Sequence, residues 1–183
     1  MRLLLVLGPL FAMVAHADEP YVRYAEIVPN HGDYVINADI SLDLNPRVRE
    51  AIEQGVPVNF VAEASIESPR WYWFDETLAT ARLEFRLSYH PMTRSYRLGI
   101  GRLHQNFNRL DDAVRTMLSI RRWTITPMTT LTPGESYNVG VRFRLDTAQL
   151  PRPFQVSTLG SHDWQIDTDW MRWTFLASPV NRR

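Results

Sequence analysis

The stretch "VPVNFVAEASI", residues 56–66, decides the fold class. Val56, Val58, Phe60, Ala62, Ala64 and Ile66 take every second position, and Asn59, Glu63 and Ser65 fall between them. Successive side chains of a strand point to opposite faces, so this spacing predicts a strand with one apolar and one polar face. Three more stretches repeat it. In "YVINADISL", Tyr34, Ile36, Ala38, Ile40 and Leu42 oppose Asn37, Asp39 and Ser41. In "RLEFRLSYH", Leu83, Phe85, Leu87 and Tyr89 oppose Arg82, Glu84, Arg86 and Ser88. In "YNVGVRFRLD", Val139, Val141, Phe143 and Leu145 oppose Arg142, Arg144 and Asp146. Half-buried strands of this kind belong to antiparallel sheets. Weaker strand patterns lie at residues 21–28, 95–100, 123–126, 154–158 and 170–176.

Two segments carry helical spacing instead. In "NPRVREAIEQG", Asn45 suits the cap, Pro46 the first turn and Gly55 the exit, with Val48, Ala51 and Ile52 as the buried stripe. In "NRLDDAVRTMLSI", Leu110, Ala113, Val114, Met117 and Leu118 recur at helical intervals. Asn108 is the expected cap there, and Asp111 and Asp112 fall where the helix dipole favours acid. Turn signals punctuate the strands at Asn30-His31-Gly32-Asp33 and Thr132-Pro133-Gly134. About eight strands and two short helices predict a mainly β domain, an antiparallel β-sandwich of immunoglobulin-like architecture. The cysteine pair of a true immunoglobulin domain is missing, so only the architecture is implied. An open barrel is the alternative.

The chain opens "MRLLLVLGPLFAMVAHADEP". Arg2, the apolar run Leu3–Val14 and Ala15-His16-Ala17 make a secretory signal with cleavage expected after Ala17. The run is shorter than the roughly 20 residues that span a bilayer. The expected organisation is therefore a signal peptide over 1–17 and one exported periplasmic domain over 18–183, with no membrane span left after cleavage. With no cysteine there is no disulfide, and stability must come from packing.

All 20 basic residues are arginine, balanced by 20 acids. Near-neutrality gives no gross attraction to nucleic acid. Arginine forks still permit local recognition of carboxylate or phosphate.

The functional candidates are aromatic and proline-rich. "SPRWYWFDE", residues 68–76, sets Arg70 beside Trp71 and Trp73. Continued parity sends Tyr72 and Phe74 to the core and Trp71 and Trp73 outward, under the cover of the 110–118 helix or free for a partner. Pro69 marks a place where register can slip. In "LDTAQLPRPFQV", Leu150, Pro151, Pro153 and Phe154 make a stiff extended segment, either a recognition arm or a crossover between sheets. Trp164, Trp170 and Trp173 lie among Asp163, Asp167 and Asp169.

Catalytic chemistry finds little here. With neither Cys nor Lys there is no thiol or amine nucleophile. His31, His90, His104 and His162 show no metal-ligand spacing, so neither a metal nor another cofactor is expected. Gly160-Ser161-His162 is not a nucleophile elbow. Gly99-x-Gly101 sits in a strand-like stretch without the helix of a phosphate loop. Asp111 and Asp112 read as a helix start. No catalytic residue is assigned.

Several motifs together resemble an uncharacterised family of exported proteobacterial proteins, domain of unknown function 4390. They are Gly55-Val56-Pro57, Arg70-Trp71-Tyr72-Trp73, Leu87-Ser88-Tyr89-His90, Leu145-Asp146, the run from Leu150 to Val156, Trp164, and Asp169-Trp170. The resemblance covers most of the chain after the signal and implies no activity. It implies an accessory role in the envelope, because members tend to be encoded near a membrane sensor kinase. The expectation is a non-catalytic interaction module for an envelope or sensor protein. The expected contact residues are Arg70, Trp71, Trp73, Leu150, Pro151, Pro153 and Phe154. A small-ligand carrier with an aromatic-lined pocket and a hydrolase with a spatially assembled site are the alternatives.

Overall fold

Strand pairing follows the alternation. The computed structural model describes residues 19–69, 76–154 and 162–178. The strands are β1 (Tyr21–Asn30), β2 (Asp33–Ser41), β3 (Val58–Ser68), β4 (Glu76–His90), β5 (Ser95–Ile100), β6 (Leu103–Phe107), β7 (Ser119–Pro127), β8 (Ser136–Leu145) and β9 (Met171–Leu176). The helices are α1 (Pro46–Glu53) and α2 (Leu110–Leu118). Two antiparallel sheets form, one of three strands in the order β1-β2-β7 and one of six in the order β6-β5-β4-β3-β8-β9. An immunoglobulin constant domain divides its strands ABED and CFG. The sandwich here has its own strand order.

The apolar faces read from the sequence meet in one core. Tyr34, Ile36, Ala38 and Ile40 of β2 are buried in it with Phe60, Ala62, Ala64 and Ile66 of β3 and Val139, Val141, Phe143 and Leu145 of β8. Phe60 stacks on Phe143 with centroids 5.7 Å apart, and Phe85 tilts against Phe143 at 5.9 Å. Such ring pairs add about 0.5–1.5 kcal/mol beyond the area they bury.

Connections follow from geometry. β1 and β2 are joined by His31 (φ 48°) and Gly32 (φ 93°), the two left-handed residues that a tight hairpin needs. Sheets pack about 10 Å apart, too far for a two-residue turn to bridge. Each helix therefore carries the chain across, α1 from β2 to β3 and α2 from β6 to β7. Asn45 caps α1 as expected, its Oδ1 accepting from the Val48 N–H at 3.0 Å, and Gly55 leaves the helix with φ 86°. α2 differs from expectation. Its N-cap is Arg109 rather than Asn108, and no side chain caps it. Asp111 and Asp112 do occupy the first turn. Asp111 pairs with Arg49 (3.0 Å) and Arg109 (3.8 Å), and Asp112 pairs with Arg115. The acidic pair is a helix start held by arginines.

Three further differences have physical causes. β6, "LHQNF", was not legible as a strand, because residues 103–106 are exposed on both faces and leave no alternation to read. Phe154, expected to open a strand over 154–158, instead ends a helical turn of residues 152–154 in which its N–H donates to the Pro151 carbonyl at 2.8 Å; residues 155–158 lie outside the described residues. A register slip does occur near Pro69, but the extra residue is Leu78 of β4, between the pairs Ile66–Ala79 and Glu67–Thr77. The parity of β3 itself is kept to its end.

Candidate functional site

The polar faces of the large sheet assemble a wide outer surface. Pairing sets Arg82, Glu63 and Arg142 in one row across β4, β3 and β8. Glu63, only 14% exposed, is gripped from both sides. Arg142 Nε donates to Oε2 at 2.7 Å, Arg144 NH2 donates to Oε1 at 3.2 Å, and Arg82 stands 3.6 Å away. Burial works to raise the Glu63 pKa. Hydrogen bonds and charge from Arg144 and Arg142 outweigh it and hold the carboxyl below its usual range. Glu63 is thus held as an anion by arginines on both neighbouring strands.

Trp170 lies beside this cluster. The Arg142 and Arg172 guanidinium carbons stand 4.9 and 5.3 Å from its ring centroid. The ring rests on Gly140 of β8, where a Cβ would come within 3.0 Å of Trp170 Cε3 and 3.2 Å of Ser65 Oγ. A glycine in mid-strand is therefore the seat of an indole.

The expected contact residues part company. Arg70, Trp71 and Trp73 lie outside the described residues. The helix offered as their cover, α2, packs on β2, β5, β6 and β7. Leu150 is buried in the core at 2% exposure. Phe154 is half-buried and meets Trp164 edge-on at 5.9 Å. Pro151 is half-buried, and Pro153 is exposed between them. The segment is thus anchored inward at both ends. Of the aspartate-flanked tryptophans, Trp164 is buried, Trp173 packs on the core from β9, and Trp170 alone turns to the outer face.

At the other end of the same surface is a groove of about 550 Å³ over β4, β5 and β6. Arg86, Arg97, Arg102, His90 and His104 line it, and Gly99 forms its floor. Sequence reading noted Gly99 but not the groove. The signal was a glycine in mid-strand with arginines on its neighbours, and only the pairing Arg86–Gly99–His104 shows that they converge. Among the described residues no three histidine, aspartate or glutamate side chains group to hold a metal. No described helix is long and apolar enough to cross a membrane.

The family model "Domain of unknown function (DUF4390)" matches residues 17–174. The chain belongs to this family. That description names no activity. No curated protein and no solved structure matches the chain.

Proposed function

We propose that this DUF4390 protein is an exported, non-catalytic interaction module that binds an extended segment of an envelope or membrane sensor protein along the edge of β6. Export is supported by the Leu3–Val14 run and Ala15-His16-Ala17, and by a family match that begins at residue 17. The observation that carries the interaction is the edge itself. β6 ends the six-stranded sheet, and residues 103–106 are exposed, with Leu103 at 78%. A bare edge is a template for strand addition, in which main-chain hydrogen bonds supply affinity and alternate side chains supply specificity.

The register says which groups are offered. The two-residue turn Gly101-Arg102 makes Ile100 and Leu103 a hydrogen-bonded pair. By alternation the main-chain groups of His104 and Asn106 point off the sheet. Asn106→Pro removes one outward donor, and the exposed side-chain contact to Arg97, while leaving the β5–β6 main-chain ladder in place. Tagged exported protein is passed through envelope extract, with wild type and Asn106→Pro in parallel. The expected result is one protein retained by wild type and lost by the variant at an unchanged melting temperature. Equal retention by both would exclude the edge.

A further inference from the structure

We propose that the groove over Gly99 is a phosphate-binding site built from arginine forks. It lies beside the edge used in the proposed interaction but does not depend on that reading.

Three observations converge. The first is charge. The groove holds Arg86, Arg97 and Arg102 against one acid, Glu84, so two positive charges are left over. Elsewhere on the same sheet arginines have acid partners, as Arg142 and Arg144 have Glu63 and Arg82 has Glu63 and Asp146. Among the described residues the Arg97 guanidinium meets the neutral Asn106 Oδ1, at 3.3 Å, and no acid. The Arg86 and Arg102 side chains have no ion pair or hydrogen bond to any described residue. A phosphate monoester carries about −1.5 to −2 at neutral pH and so balances the excess with a single group. A lone carboxylate leaves one charge unmatched.

The second is the glycine. Gly99 has no positive φ that would require it. A Cβ there would find nothing nearer than 3.7 Å, which is ordinary contact. A strand glycine costs roughly 0.5–1 kcal/mol relative to alanine. Neither backbone nor packing calls for this one, in contrast to Gly140 under Trp170. What it supplies is space, and the space lies between Arg86 and His104 on the neighbouring strands. Glycine in a strand marks a bulge, a tight bend or a close approach of a ligand or another backbone, and β5 shows no bulge against either neighbour.

The third is size and donor type. A groove of about 550 Å³ falls in the usual range for small-molecule sites. Guanidinium forks match phosphate oxygens bidentately. His90 and His104, also in the lining, add ring donors. Recognition is by side chains, which is why no phosphate-loop motif accompanies it.

The phosphate group has two sources, a free phosphomonoester or a lipid headgroup. Purified exported protein is titrated at low salt with glycerol 3-phosphate, with succinate, and with phosphatidylcholine vesicles with and without phosphatidic acid. Saturable binding of glycerol 3-phosphate assigns the free ligand. Binding only to phosphatidic acid vesicles assigns the headgroup. In either arm Arg86→Ala and Arg102→Ala each weaken binding roughly tenfold or more, as loss of a charge-assisted contact does. Gly99→Val fills the floor and abolishes binding with no fall in melting temperature. Arg23→Ala, the same charge change on the other sheet, stays within about twofold, since screening confines the effect to roughly 10 Å. The proposal is overturned if neither phosphate source binds, if succinate binds as well, if Arg23→Ala weakens binding as much as Arg86→Ala, or if Gly99→Val binds like wild type.

Discussion

Glu63 shows how one residue decides a surface. Without it, three arginines would face one another across β4, β3 and β8. Glu63→Gln keeps the shape and removes the charge. Breaking a well-buried pair costs about 3–5 kcal/mol, and partial exposure lowers that to roughly 2. The pH dependence has a definite sign. The folded-state pKa is depressed, so the ionised carboxylate stabilises the fold fully above the ordinary value of 4.5 and loses its effect as pH falls through the lower, folded value. Urea unfolding of wild type and Glu63→Gln should show a constant gap at neutral pH that narrows below pH 4.5. A gap that widened in acid would mean that the arginines are not what holds Glu63.

At the scale of elements, α1 is fixed by one side chain with two duties. Asn45 Oδ1 caps the helix, and its Nδ2 donates to the Asp163 carbonyl, far away in sequence. Asn45→Ala loses both, and Asn45→Asp keeps the cap while losing the tie. A cap is worth about 1 kcal/mol, which is roughly 2–4 °C of melting temperature for a domain of this size. The alanine variant should melt lower by at least that much, with the aspartate variant between it and wild type. Thermal unfolding of the three proteins checks the order. An aspartate variant as unstable as alanine would place the whole effect in the link to residue 163. The edge strands show the limit of element-level reading. β2, β3 and β8 were legible because one face of each is buried. β6 was not, because no burial shapes its sequence.

For the molecule as a whole, both sheets and both helices contribute to one hydrophobic cluster. Neither sheet can bury its apolar face alone, so the domain should unfold in a single transition. Circular dichroism and tryptophan fluorescence should give coincident melting curves. Reducing agent should leave them unmoved, because the chain has no cysteine. Separate transitions would show that the three-stranded sheet is an independent unit.

The sequence by itself determined the sandwich, the core face of each central strand and the start of α1. Burial on one face writes a period of two, and a cap writes its own residue, so both signals are local. Only the tertiary structure decided the outer surface. Glu63 and Arg142 are 79 positions apart, and Gly140 is bare because Trp170, on a distant segment, rests there. The same holds for Leu150, which looked like a recognition residue and is core. Its neighbours in sequence are polar or proline, and the residues that bury it come from elsewhere in the chain. The groove over Gly99 is the clearest case. Arg86, Gly99 and His104 are unremarkable one at a time, and their meaning comes from strand register, which brings side chains together across hydrogen bonds that the linear order does not contain.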